Sequence, residues 1–98
     1  MPPADHRIPD LRRQPFEALG VVVRRRRKAA GMTQEELEAT STLHVTYLRG
    51  IEAGRRNPSI QVQWLLAKGL GVPFSVLCAD VEVEVSAASG SAPDEGPR

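Results

Sequence analysis

The chain has 98 residues, 41% hydrophobic and 26% charged, which leaves room for one small domain and is too apolar for wholesale disorder. The longest apolar stretches, residues 21–23 and 64–67, fall well short of the ~20 residues that cross a bilayer, and no run of signal-peptide length follows the N-terminus. No membrane span or export is expected, and the cytoplasm is the expected location. Cys78 is the single cysteine, which excludes an intrachain disulfide and a zinc site of several thiolates; its thiol reads as a buried packing group.

The net charge of +1 hides an asymmetry. Residues 1–28 hold eight Arg or Lys against three acidic residues, whereas residues 58–98 hold two against five. The N-terminal part is the one suited to a polyanion, unless its basic run is simply a solvated helix face.

In chain order, residues 1–15 contain four prolines and no helical period, and are expected to form a flexible arm. A first helix is expected from Pro15, with Phe16, Leu19, Val22, Val23 and Ala30 at helical spacing and Gly31 as its stop. Thr33-Gln34-Glu35-Glu36 matches a capping box and predicts a second helix over residues 34–40, anchored by Leu37. A third helix over residues 45–53 turns Leu48 and Ile51 inward and ends at Gly54. Residues 55–58 read as a loop. Ser59 then caps a fourth helix over residues 60–70, with Ile60, Leu66, Ala67 and Leu70 buried, closed by Gly71. Pro73 opens a short fifth helix over residues 74–77. Val81, Val83 and Val85 alternate with Glu82 and Glu84, a period of two that predicts a short strand over residues 79–85. Residues 86–98 are small, polar and proline-containing, and are expected to be a disordered tail.

Two short helices joined by a tight break have the layout of a helix-turn-helix, in which the first crosses the DNA backbone and the second presents its N-terminal half to base edges. The run from Leu19 to Leu77 resembles the phage repressor and Cro-like family of bacterial regulators, the xenobiotic-response-element type. The resemblance rests on Gly31-Met32-Thr33-Gln34-Glu35-Glu36-Leu37, on Tyr47-Leu48, on Ile51-Glu52-Ala53-Gly54-Arg55-Arg56-Asn57-Pro58-Ser59, and on Leu66-Ala67 with Leu70-Gly71-Val72. It implies an all-α, five-helix lambda-repressor-like domain over residues 16–78.

By that resemblance Val45, Thr46, Arg49 and Gly50 are base-facing. Arg49 suits guanine O6 and N7, Val45 and Thr46 suit a thymine methyl, and Gly50 would let the backbone come close. Gln34, Arg55, Arg56 and Asn57 fall at phosphate-contacting positions, and Tyr47, mainly a packing residue, could reach a phosphate through its hydroxyl. Glu52 is expected to pair with an arginine of the first helix, and Trp64 to belong to the core or to an interface. Four positions depart from the family pattern: Thr42 stands where the turn usually has glycine, His44 replaces a Ser or Thr cap, and Arg26 and Gln63 occupy places commonly apolar.

The expected function is sequence-specific binding of a double-stranded DNA operator as a small transcriptional regulator, a repressor or autoregulator. One recognition helix reads few base pairs, so a homodimer is expected, paired through the strand at residues 79–85. The competing reading is a protein-interaction module such as an antitoxin or adaptor. Two histidines, one cysteine and no phosphate-binding glycine loop offer nothing to an enzyme, a cofactor or a metal.

Overall fold

The structure, a computed structural model, describes residues 13–88. Within them five helices succeed one another: α1 (Pro15–Ala29), α2 (Gln34–Ser41), α3 (Val45–Glu52), α4 (Ile60–Leu70) and α5 (Phe74–Ala88). The all-α expectation holds, and α1 to α4 lie within a residue of their predicted bounds. The arm as far as residue 12 and the tail from residue 89 lie outside the described residues.

The starts of α2, α3 and α4 each have a local cause. Thr33 and Glu36 form the expected capping box, with the Glu36 amide donating to Thr33 Oγ1 at 3.0 Å and the Thr33 amide donating to Glu36 Oε1 at 2.7 Å. Ser59 accepts from the Val62 amide at the start of α4. His44 caps α3 through Nδ1, which accepts from the Thr46 amide at 3.1 Å, and Glu38 Oε2 accepts from the Val45 amide at 3.1 Å. Two side chains thus do the work of the missing Ser or Thr. In the α2–α3 turn Thr42 adopts a left-handed conformation, φ 66°, which glycine would occupy without a steric penalty. The turn is held by the Thr42 amide on the Glu38 carbonyl at 2.8 Å and by the Leu43 amide on Ser41 Oγ at 3.1 Å.

The core is built from Leu19, Val22 and Val23 of α1, Leu37 of α2, Leu48 and Ile51 of α3, Leu66 of α4 and Leu77 of α5. Helices α2 and α4 approach closely at Gly69, where an added Cβ would stand 2.6 Å from the Ser41 Cβ. Ile60, expected inside, is 69% exposed: as the first residue of α4 it lies beyond the stripe that Leu66, Ala67 and Leu70 bury.

The strand at residues 79–85 is not formed. The fifth helix runs on through it to Ala88 and takes up residues 86–88, which were expected in the tail. A lone strand leaves its backbone groups without partners, whereas a helix bonds them internally, at a cost of only a few tenths of a kcal/mol per valine. Helical spacing also stacks Leu77 with Val81 and Asp80 with Glu84, each pair four residues apart. Asp80 pairs with Arg26, and Glu84 accepts from Arg13 at 3.0 Å and from Arg25 at 2.8 Å, so the acidic side of α5 lies along the basic side of α1. Arg26 is thereby explained as an ion-pair partner at a position commonly apolar, and Gln63 donates to the Pro58 carbonyl at 3.0 Å. Cys78 is exposed, not buried, because Leu77 takes the inward position beside it.

Candidate nucleic-acid interface

The inward end of the site is a buried ion pair. Arg27 of α1 donates to Glu52 of α3 through Nε at 2.7 Å and through a terminal nitrogen at 2.9 Å, and also to the Met32 carbonyl at 2.9 Å. The two side chains are 9% and 3% exposed, so the expected partner of Glu52 is found in Arg27. The hydrogen bond to Glu52 raises the Arg27 pKa, against the opposing effect of burial and with help from the Glu52 and Glu35 charges. The guanidinium is therefore fixed in its charged form, and the pair ties the C-terminal end of α3 to α1.

From that pair a chain of hydrogen bonds runs to the surface. Glu52 Oε1 accepts from the Gln34 amide at 3.0 Å, Gln34 Oε1 accepts from Arg49 Nε at 3.1 Å, and a terminal nitrogen of Arg49 donates to Glu35 Oε2 at 2.9 Å. Gln34 is thus held at both ends of its amide and orients Arg49. The side chain of Arg49 remains 52% exposed.

Around Arg49 on α3, Thr46 is exposed and Val45 half-buried. Gly50 does not join them: it is buried, and a Cβ there would stand 3.0 Å from Cγ of Arg56. Its lack of a side chain serves the loop after α3, which folds back so that the Arg55 amide donates to the Gly50 carbonyl at 2.9 Å. The Arg56 guanidinium lies 6.0 Å from the centre of the Tyr47 ring, and Tyr47 is half-buried against the core. Arg55, Arg56 and Asn57 are all exposed. Asn57 also borders a cavity of about 160 Å³ lined by Pro15, Phe16, Leu77 and Cys78.

Two basic residues escaped the sequence reading. Arg24 and Lys28, four apart on α1, line an open cleft together with Thr33 and Gln34 at the start of α2. The run of residues 24–28 signalled positive charge, but only the fold separates its members: Arg27 turns inward, Arg25 and Arg26 meet α5, and Arg24 and Lys28 face the cleft. Glu35 belongs to the capping sequence of α2, and nothing in the sequence alone marks it as the partner of Arg49. Among the described residues no group of three or more His, Cys, Asp or Glu could hold a metal ion, and no single helix is long and apolar enough to cross a membrane.

Residues 23–77, more than half of the chain and all of α2, α3 and α4, match the family profile described as helix-turn-helix. The chain belongs to the helix-turn-helix family. It is 48% identical over 48 residues to an uncharacterized HTH-type transcriptional regulator, y4dJ, of Sinorhizobium fredii, a match covering 49% of this chain and 62% of that protein. It is 36% identical over 59 residues to the control protein C.MunI of a Mycoplasma species, covering 60% of this chain and 80% of the relative. Among solved structures it is similar to the restriction-modification controller protein C.Esp1396I, a tetramer in complex with its natural 35 base-pair operator. That likeness has a TM-score of 0.69 at 35% identity and covers 72% of this chain and 93% of the other.

Proposed function

We propose that this protein is a sequence-specific regulator of transcription, acting in the cytoplasm, that reads double-stranded operator DNA by laying α3 in the major groove. The observation that carries the reading is the exposed Arg49, braced by Gln34 and Glu35 on the helix that leads into the turn. Thr46 and Val45 flank it as apolar contacts for thymine methyls, while Arg49 offers a planar fork to guanine. Gln34 with Arg24 and Lys28 on one side, and Tyr47, Arg55, Arg56 and Asn57 on the other, supply phosphate contacts that set the register of the helix. Gly50 contributes by letting Arg56 lie close to α3. The control and controller proteins among its relatives, one of them solved on its operator, support the same reading.

The two classes of contact separate experimentally. Arg49→Ala is expected to cost about 1–3 kcal/mol at one base position and to relax selectivity there, as read by selecting duplexes from a random pool with each protein. Arg55→Ala or Arg56→Ala should weaken all duplexes alike and flatten the dependence of affinity on salt by about one unit per lost contact. A selected profile identical at every position for wild type and Arg49→Ala would remove Arg49 from the base-reading set.

An exposed aromatic patch bears on assembly. Trp64 is 57% exposed, its ring centre lies 5.5 Å from that of Phe74, and Ile60 stands one turn before it on the same side of α4. A second copy docking there would bury this surface and set two recognition helices about a two-fold axis, which one small domain needs to specify a long site. Trp64→Glu should convert a dimer to monomer by sedimentation and weaken binding to a selected duplex; an unchanged dimer would exclude this face.

A further inference from the structure

We infer that Glu35 is a specificity-determining residue, a latch that keeps Arg49 off the phosphate backbone until the correct base displaces it. The inference rests on the reading of Arg49 as a base-contacting residue. In the structure the Arg49 fork already has two acceptors, Gln34 Oε1 at 3.1 Å from Nε and Glu35 Oε2 at 2.9 Å from a terminal nitrogen. Adjacent acceptors facing one guanidinium are what the guanine edge presents with O6 and N7. The start of α2 thus offers Arg49 an internal substitute for guanine, and among base edges only one that presents a matching pair of acceptors compensates for leaving it.

Charge decides what happens elsewhere on DNA. An unlatched arginine gains affinity from any phosphate, with release of counterions, and so adds equally to every sequence. Paired with Glu35, Arg49 presents no net charge and contributes little to non-specific binding. The pair is also weak enough to open: the Arg49 and Glu35 side chains are 52% and 63% exposed, and such pairs shift an equilibrium by a few-fold at most. Gln34 differs in being anchored to the buried Glu52, so it stays in place while Glu35 releases.

Glu35→Gln preserves the shape of the side chain and removes its charge. We would measure binding by fluorescence anisotropy to a duplex selected from a random pool by the wild-type protein and to a scrambled duplex of the same composition. The variant should bind the scrambled duplex more tightly with a steeper salt dependence, by about one unit, and its selected-to-scrambled affinity ratio should fall about 2- to 5-fold. In an Arg49→Met background the same substitution should leave the ratio unchanged. A ratio unaltered by Glu35→Gln overturns the latch, as does a fall of equal size in the Arg49→Met background, which would mark Glu35 as a general repulsive charge. Wild-type protein that binds neither duplex would overturn the DNA-binding reading itself, whereas binding with an unaltered ratio overturns only the role of Glu35. Far-UV circular dichroism of each variant confirms the helical fold before the ratio is read.

Discussion

Arg27→Met is expected to lower the unfolding free energy by about 3–5 kcal/mol, the cost of leaving one member of a buried ion pair without the other. Glu52 is 3% exposed, and without Arg27 its carboxylate would keep only the Gln34 amide as a side-chain donor. Against a total stability of about 5–15 kcal/mol for a domain of this kind, such a loss brings the fold near its threshold. The charge, not the volume, is the cause, since methionine fills much of the arginine stem. Arg27→Met combined with Glu52→Leu should therefore lose less than Arg27→Met alone, because no buried carboxylate remains to be solvated. The wild-type arginine pKa is raised, so its contribution is fully present below the ordinary arginine value and is lost only in stronger alkali. Urea denaturation of the single and double variants at neutral pH checks both claims. A single variant within 1 kcal/mol of wild type, or a double variant worse than the single, would show that the pair is not what ties α1 to α3.

Much of this arrangement was legible because its causes are local. The Thr33–Glu36 box, the Ser59 cap and the stops at Gly31, Gly54 and Gly71 act over three or four residues, so four helices could be placed from the sequence. The last helix is not legible in this way, because its cause is distant. Alternating valines match the period of a strand over so short a run, and what selects the helix is Arg13 together with Arg25 and Arg26 of α1, 54 to 71 residues away in sequence. Site residues divide along the same line. Thr46, Arg49, Arg55 and Arg56 stand exposed where their positions in the motif put them. Arg24, Lys28 and Glu35 acquire their surroundings only when α1, α2 and α3 are packed, and Gly50 loses its assigned exposure to the folded-back Arg56. Whether Cys78 or Ile60 would be buried likewise depended on which neighbour took the inward position, which apolar character alone does not decide.

Gly20→Ala is expected to destabilise the fold by about 3 kcal/mol, in the upper part of the range for overpacking, and to disturb DNA binding from the far side of the domain. In an exposed helix the same change would stabilise by about 1 kcal/mol, since glycine is the poorer helix former. Here the helix is not free to accept it. Gly20 is buried in α1, and an added Cβ would stand 2.2 Å from the Ile51 carbonyl oxygen and 3.1 Å from that of Glu52. Both are backbone atoms at the C-terminal end of α3, so no side chain can rotate aside. Relief requires α3 to withdraw until the contact exceeds 3.0 Å, which strains the Arg27–Glu52 pair and displaces the chain of hydrogen bonds that orients Arg49. Gly71→Ala is the comparison: its φ of 74° penalises any side chain by about 1–2 kcal/mol, but nothing lies within 4 Å and the residue caps α4, not α3. Urea denaturation should rank Gly20→Ala as the more damaging. At temperatures where both remain folded, only Gly20→Ala should weaken binding to a selected duplex, by about tenfold, the scale of 1.4 kcal/mol of lost contact. Wild-type stability in Gly20→Ala would mean that α1 and α3 are not held at this separation.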